Sequence, residues 1–216
     1  MEQTLMWNDV IIAIPTMPER RWMLSQLLAF IGPGCSGAEI VVREHEGGAS
    51  PREDLPRLMD LAVVKTRRWI LVLEDDVWPA SSFGTMALEA IEEADRRGAR
   101  AITLFSRAKE DVAMLNRKER FRQQAPSAFC MMQAVAVLCE AMQGFAAWAP
   151  SWYERHPEHC HAADLLLGAW LSRQKAKMLV HVPSLVQHRS GPSTLPGGRA
   201  KVRQSDTYTM AFGNVP

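Results

Sequence analysis

The sequence predicts an α/β protein, a three-layer α/β/α sandwich with a mostly parallel central sheet. Three observations carry that expectation. Val10-Ile11-Ile12-Ala13-Ile14 and Ile70 to Leu73 are unbroken apolar runs, the pattern of strands buried on both faces. Strand and helix patterns alternate as β-α-β-α-β within the first 75 residues, which favours right-handed parallel crossovers. The third strand ends abruptly in Glu74, Asp75 and Asp76, at the carboxyl edge where open α/β sheets bind ligands.

The elements follow in order. Val10 to Ile14 is a strand closed by Pro15-Thr16-Met17-Pro18. From Arg20 to Ile31 the spacing is helical, with Trp22, Met23, Leu27, Leu28 and Ile31 on one face, and Gly32-Pro33-Gly34 stops it. Glu39 to Arg43 is the next strand, with Glu44–Glu46 in its exit loop, and Pro51 opens a helix running to about Thr66. After the acidic strand, Phe83 to Arg97 is strongly amphipathic and Gly98 ends it; Ala101 to Phe105 is a strand.

Residues 106–126 are polar and basic, with Arg117, Lys118, Arg120 and Arg122 close together, and read as a solvated helix or loop. Ala128 to Met132 reads as a buried strand, Val135 to about Trp148 as a helix, and Ala162 to Gln174 as another. Met178 to Val182 is a last strand, followed by Pro183 to His188. From Arg189 onward Gly, Pro, Ser and basic residues predict a flexible tail. The expected organisation is one domain over 1–190, with halves of about 9–105 and 106–190, and a tail over 191–216.

At 216 residues, 47% apolar and 23% charged, the chain suits a soluble globular domain with a good core. A net charge of +1 gives no global attraction to nucleic acid or acidic membrane. No apolar run approaches a membrane span, and the N-terminus lacks the basic start and long apolar core of a secretory signal. Cys35, Cys130, Cys139 and Cys160 show no paired spacing, so free thiols in a reducing cytoplasm are expected.

The chemistry centres on Glu74, Asp75 and Asp76. Three carboxylates at the end of a buried strand repel one another and are costly to desolvate. A hard cation, Mg²⁺ or Mn²⁺, turns that repulsion into binding. Two other readings stand beside it: an acidic turn before a helix capped by Ser81 or Ser82, and a phospho-accepting receiver domain. The second fits poorly, because about seventy residues precede this strand and the next candidate acid, Asp111, follows Lys109-Glu110 rather than a strand.

The chain resembles the GT-A glycosyltransferases, particularly small bacterial and phage-type members. Three segments carry the resemblance: the strand leading into Pro15-Thr16-Met17-Pro18-Glu19-Arg20 and a helix; Leu73-Glu74-Asp75-Asp76-Val77 in the place of the family's DxD motif; and Ala163-Asp164-Leu165-Leu166-Leu167-Gly168 followed by Val182 to His188. It spans roughly residues 9–190. The resemblance implies a nucleotide-diphosphate sugar as donor and Mn²⁺ or Mg²⁺ held by Asp76, with His188 closing the coordination sphere. Glu74 would contact ribose or a metal-bound water, with Asp75 assisting. The motif is Glu-Asp-Asp rather than Asp-x-Asp, which leaves the division of labour between Glu74 and Asp75 open. Thr16, Arg20 and Glu44 would hold base and ribose, and Arg189 opens a basic segment that could cover the diphosphate. Asp164 is the expected general base of an inverting reaction.

The implied acceptor is a glycan or lipid-linked glycan. The alternative is a hydroxymethylated pyrimidine in phage DNA, motivated by the basic run 117–122, the basic tail and the aromatic residues Trp148, Trp152 and Tyr153. In that case the compartment is the host cytoplasm. A non-catalytic α/β binding or signalling module is the reading from a different class. His156, His159, Cys160 and His161 lack the second paired cluster of a structural zinc site.

Overall fold

The computed structural model describes residues 4–44, 51–65, 67–159, 162–189 and 203–212. A seven-stranded mixed sheet forms the middle layer. Its first half is the expected parallel unit. Strand β1 (Val10–Thr16) pairs in parallel with β2 (Glu39–Glu44) and with β3 (Trp69–Leu73), linked through helices α1 (Arg21–Gly34) and α2 (Pro51–Val64). After the acids come the short strand β4 (Val77–Pro79), helix α3 (Phe83–Arg96) and β5 (Ala101–Thr103).

The second half departs from the mostly parallel expectation. Its elements are α4 (Lys109–Asn116), β6 (Phe121–Gln124), β7 (Ala134–Leu138), α5 (Phe145–Arg155), α6 (Ala163–Arg173), β8 (Met178–His181), β9 (Val186–His188) and α7 (Asp206–Phe212). The sheet order is β2-β1-β3-β7-β5-β8-β6, and β4 with β9 forms a separate antiparallel ribbon. Strand β7 runs antiparallel to both β3 and β5, and β6 antiparallel to β8, so three of the six pairings in the large sheet are antiparallel.

Alternation along the central strands builds two cores. Val10, Ile12, Ile14, Trp69, Leu71 and Leu73 face a cluster with Leu27, Ile31, Phe83, Ala87 and Ile91 of α1 and α3. Ile11, Ala13, Ile70 and Val72 face Leu55, Leu58, Phe145, Leu166 and Leu171 of α2, α5 and α6. Where α1 meets α3, a Cβ on Gly84 would lie 2.1 Å from the Gly34 carbonyl oxygen, so only glycine permits this approach.

Four local expectations change. Helix α1 runs through Pro33 to Gly34, and its buried face is Met23, Leu27 and Ile31; Trp22 points outward and is 51% exposed. Residues 134–138 form the buried central strand β7, not a helix, and the expected strand at Ala128–Met132 is the approach to it. Ala134-Val135-Ala136-Val137 fits a strand enclosed on both faces, where uniform apolarity hides the period of two. Residues 106–126 contain α4 and the edge strand β6, joined by the pair of half-buried Arg122 with buried Asp111 at 2.5 Å.

The fourth change concerns the stretch expected to be a flexible tail. Residues 190–202 and 213–216 lie outside the described residues, but 203–212 are seated on the core. Ser205 is fully buried; its hydroxyl donates to Ser184 Oγ at 2.7 Å, and its amide to Gln187 Oε1 at 2.8 Å. Tyr208 donates its hydroxyl to the Pro79 carbonyl at 3.4 Å. The C-terminal segment thereby braces the β4–β9 ribbon.

Candidate metal centre and adjoining cleft

The ribbon brings together what the sequence keeps apart. Val77 pairs with His188 across β4 and β9, and the Arg189 amide donates to the Asp76 carbonyl at 2.7 Å. That pairing sets His188 beside the acids at the carboxyl end of β3. Ligand atoms of Glu74, Asp76 and His188 all lie within 4.8 Å of one another. Two carboxylates and one imidazole form a donor set suited to a divalent cation.

Asp76 provides the test of fit. Its side chain is buried, and its Oδ1 has no hydrogen-bond partner among the described residues. An orphaned buried carboxylate oxygen is costly unless a further group engages it. Its Oδ2 accepts from Arg20 Nη1 at 2.7 Å and faces His188 Nε2 at 3.4 Å. The three residues therefore fit a cation.

Each acid has a distinct environment. Loss of hydration pushes the Glu74 carboxyl up to about 8, and the neighbouring Asp76 charge adds to the rise. Burial also raises Asp75, against the hydrogen bonds from Thr16 and Arg20. Burial acts the same way on Asp76, but His188 and Arg20 outweigh it and hold that carboxyl below its usual range. Asp75 is fully committed: its Oδ2 accepts from Thr16 Oγ1 at 2.7 Å and its Oδ1 from Arg20 Nη1 at 2.9 Å. Glu74, expected to touch ribose or a bound water, thus joins the candidate ligand set, while Asp75 anchors Thr16 and Arg20.

His188 is oriented by the returning C-terminal segment. Its Nδ1 accepts the Arg203 amide at 3.2 Å, so the ring hydrogen sits on Nε2, toward Asp76. Coordination through Nε2 requires that hydrogen to move to Nδ1, which would break the Arg203 contact. The Arg203 charge also acts on Glu74, and Arg189 is influenced by Asp76 and Asp75. Arg20, Arg189 and Arg203 surround the three acids, so a bound divalent cation would leave the site positive and suited to an anionic ligand.

A cleft of about 340 Å³ adjoins this centre, lined by Gln26, Phe30, Val77, Trp78, Pro79 and Arg189 among others. The Arg189 guanidinium lies 5.0 Å from the Trp78 ring centroid and 5.2 Å from that of Trp22, and donates to Gln26 Oε1 at 2.7 Å. Trp22 and Phe30 are exposed, an unusual display of aromatic surface.

The remaining sequence candidates fall elsewhere. Glu44 ends β2 opposite Thr16 and forms a two-pronged pair with Arg21, at 2.7 and 2.5 Å. Residues 45 and 46 of its loop lie outside the described residues. Asp164 opens α6, where its Oδ1 accepts the Leu165 amide at 2.9 Å. Among the described residues, no hydrogen bond or ion pair joins it to the three-residue cluster. Trp152 and Tyr153 are core residues, and Trp148 packs on Trp170 and Phe145. His156 and His159 stack beside Trp152, while Cys160 and His161 lie outside the described residues.

The basic run is largely neutralised internally. Arg117 pairs with Glu119, Arg120 with Glu89, and Arg122 with Asp111. Two residues the sequence reading passed over join the site: Gln133, whose amide contacts Glu74, and Gln26 in the cleft. Gln133 left one signal, a polar residue between two apolar runs.

No family model matches the chain, and no curated protein matches it. Among solved structures it is similar to one described as a glycosyltransferase involved in the glycosylation of the major capsid of PBCV-1. The two are 13% identical with a TM-score of 0.41; the match covers 64% of this chain and 66% of that one. The chain therefore aligns with just under two thirds of that protein. Among the described residues no helix is long and apolar enough to cross a membrane.

Proposed function

We propose that the protein is a metal-dependent glycosyltransferase that moves a sugar from a nucleotide-diphosphate donor to an acceptor hydroxyl with inversion. The observation that carries this reading is the Glu74–Asp76–His188 cluster with its unpartnered Asp76 Oδ1, set at the carboxyl end of β3 among three arginines. Glu74, Asp76 and His188 would hold Mn²⁺ or Mg²⁺, which supplies Lewis-acid compensation for charge developing on the nucleoside-diphosphate leaving group.

The protein's own groups do the rest. Arg20, fixed by Asp75 and Asp76, and Arg203, beside Glu74, would neutralise the diphosphate. Thr16 and Glu44, paired across the ends of β1 and β2, would border base and ribose. Asp164 is retained as the general base that removes the acceptor proton, a role that requires the acceptor to bridge from the cluster toward α6.

A glycan is the favoured acceptor. The Trp22, Phe30 and Trp78 surface offers faces for sugar rings, and Gln26 and Arg189 offer planar hydrogen-bonding groups. The alternative of a hydroxymethylated base in DNA loses one of its motives, because Arg117, Arg120 and Arg122 are engaged in ion pairs. Release of nucleoside diphosphate from a panel of nucleotide sugars, with and without Mn²⁺, tests the activity. Parent protein should turn over one donor only with metal, and Asp76→Ala should lose both turnover and metal-dependent donor binding while staying folded. Full activity in a folded Asp76→Ala variant would overturn the proposal.

A further inference from the structure

Gln133 sits immediately before β7, where the ladder with β3 runs one step past its last strand pair. Leu73 pairs with Ala134, and the Glu74 amide then donates to the Gln133 carbonyl at 3.1 Å. Glu74 and Gln133 are thus cross-strand neighbours at the end of the ladder. The Gln133 side chain is fully buried, and its Nε2 donates to Glu74 Oε2 at 2.8 Å.

The other end of that amide has no partner: Oε1 is buried and unbonded among the described residues. Reversing the amide would not repair this. It would place Oε1 against the carboxylate and orphan the NH₂ group instead. An amide kept only to bridge two strands would be expected to satisfy both ends, since a buried unpaired polar atom costs about 1–3 kcal/mol. A buried orphan of this kind calls for an explanation, and here the cluster that Gln133 contacts holds a second, Asp76 Oδ1.

We infer that Gln133 is a positioning residue of the metal centre, holding the Glu74 carboxylate in the rotamer from which it closes on a divalent cation with Asp76 and His188. The inference rests on the metal-centre reading above. A carboxylate at the end of a strand has rotatable χ angles, and an unsupported one must be ordered by the cation itself. A hydrogen bond in the orienting layer meets that cost before binding, and removing such a partner typically weakens metal affinity by about 10–100-fold. Gln suits the place because it donates to the carboxylate without adding charge.

The test is Mn²⁺ binding to the full chain, followed by the electron paramagnetic resonance signal of free aqueous Mn²⁺. The set is the parent, Asp76→Ala, Gln133→Met and Gln133→Asn. Met preserves length without a donor, while Asn keeps the amide on a shorter arm that cannot hold Glu74 from the same backbone position. The parent should bind one Mn²⁺ that Asp76→Ala does not bind. Gln133→Met should raise the dissociation constant by about 10–100-fold, with a metal-free melting temperature close to the parent's, and Gln133→Asn should be weakened as well. If Gln133→Met fails to fold, Gln133→Asn decides. A folded variant binding Mn²⁺ as tightly as the parent, or one altered only in melting temperature, would overturn this inference and leave the metal centre standing. A parent that binds no Mn²⁺ would overturn both.

Discussion

The Arg20 guanidinium lies 2.7 Å from Asp76 Oδ2, the same oxygen that His188 Nε2 approaches at 3.4 Å. Arg20 also reaches Asp75 at 2.9 Å, so one buried cation holds two carboxylates together in the metal-free protein. Removing one partner of a buried ion pair leaves uncompensated charge and costs about 3–5 kcal/mol. Arg20→Leu should lose stability of that order in urea unfolding with chelator present. Mn²⁺ should restore more stability to the variant than it adds to the parent. A metal-free loss below about 1 kcal/mol, typical of an exposed pair, would show that Arg20 does not hold these acids.

The Arg203 amide and His188 Nδ1 make the second link, at 3.2 Å. Because a cation on Nε2 needs the ring hydrogen on Nδ1, the Arg203 amide and the cation compete for one imidazole. Saturating Mn²⁺ should therefore speed amide hydrogen exchange at Arg203, while Ser205, tied to Gln187 and Ser184, stays protected. Unchanged exchange at Arg203 in metal-saturated protein would place His188 outside the coordination sphere.

A separate pH effect resides in His181. Burial lowers its imidazole from 6.5 to about 4, while Nδ1 donates to the Pro183 carbonyl at 2.7 Å and Nε2 faces Arg120 at 3.2 Å. The folded protein keeps this ring neutral, whereas the unfolded chain takes up a proton below about 6.5. Its contribution is thus fully present above pH 6.5 and lost as pH falls toward 4, amounting to about 2 kcal/mol by pH 5. Between pH 7.5 and pH 5 the parent should lose about 2 kcal/mol relative to His181→Gln in urea unfolding, the raised Glu74 carboxyl shifting both proteins alike. Equal changes in both would assign the acid sensitivity to other groups.

How much was legible in the sequence follows from where the information lies. Val10 to Ile14 and Ile70 to Leu73 announce themselves because strands enclosed on both faces must be apolar throughout. The acids stand out because they end such a run. The same uniformity obscures Ala134 to Leu138, an equally buried strand whose alanines fit a helix as well. Trp22 shares the helical spacing of Met23 and Leu27, yet the buried face of α1 is Met23, Leu27 and Ile31, and Trp22 lies outside it.

The resemblance implied Asp76 and His188 as partners, but local sequence patterns carry no geometry for their meeting. Asp76 and His188 could be named as candidates, whereas their meeting depends on the β4–β9 ribbon, and its bracing depends on Ser205 and Tyr208 in a stretch whose composition reads as a tail. Gln133 and Arg203 carry no motif. They reach Glu74 and His188 only through sheet register and chain return, which local patterns do not encode.

The central claim is that this cluster binds a divalent cation and, through it, a nucleotide diphosphate. The most direct measurement is thermal unfolding of the parent and of Asp76→Ala against nucleoside diphosphates and nucleotide sugars, each with and without Mn²⁺. A ligand bound to the folded state alone raises the melting temperature by mass action. The account predicts a rise for one nucleotide with Mn²⁺ present, none without it, and none in Asp76→Ala. A flat panel on well-folded parent protein, or an equal rise in Asp76→Ala, would contradict it.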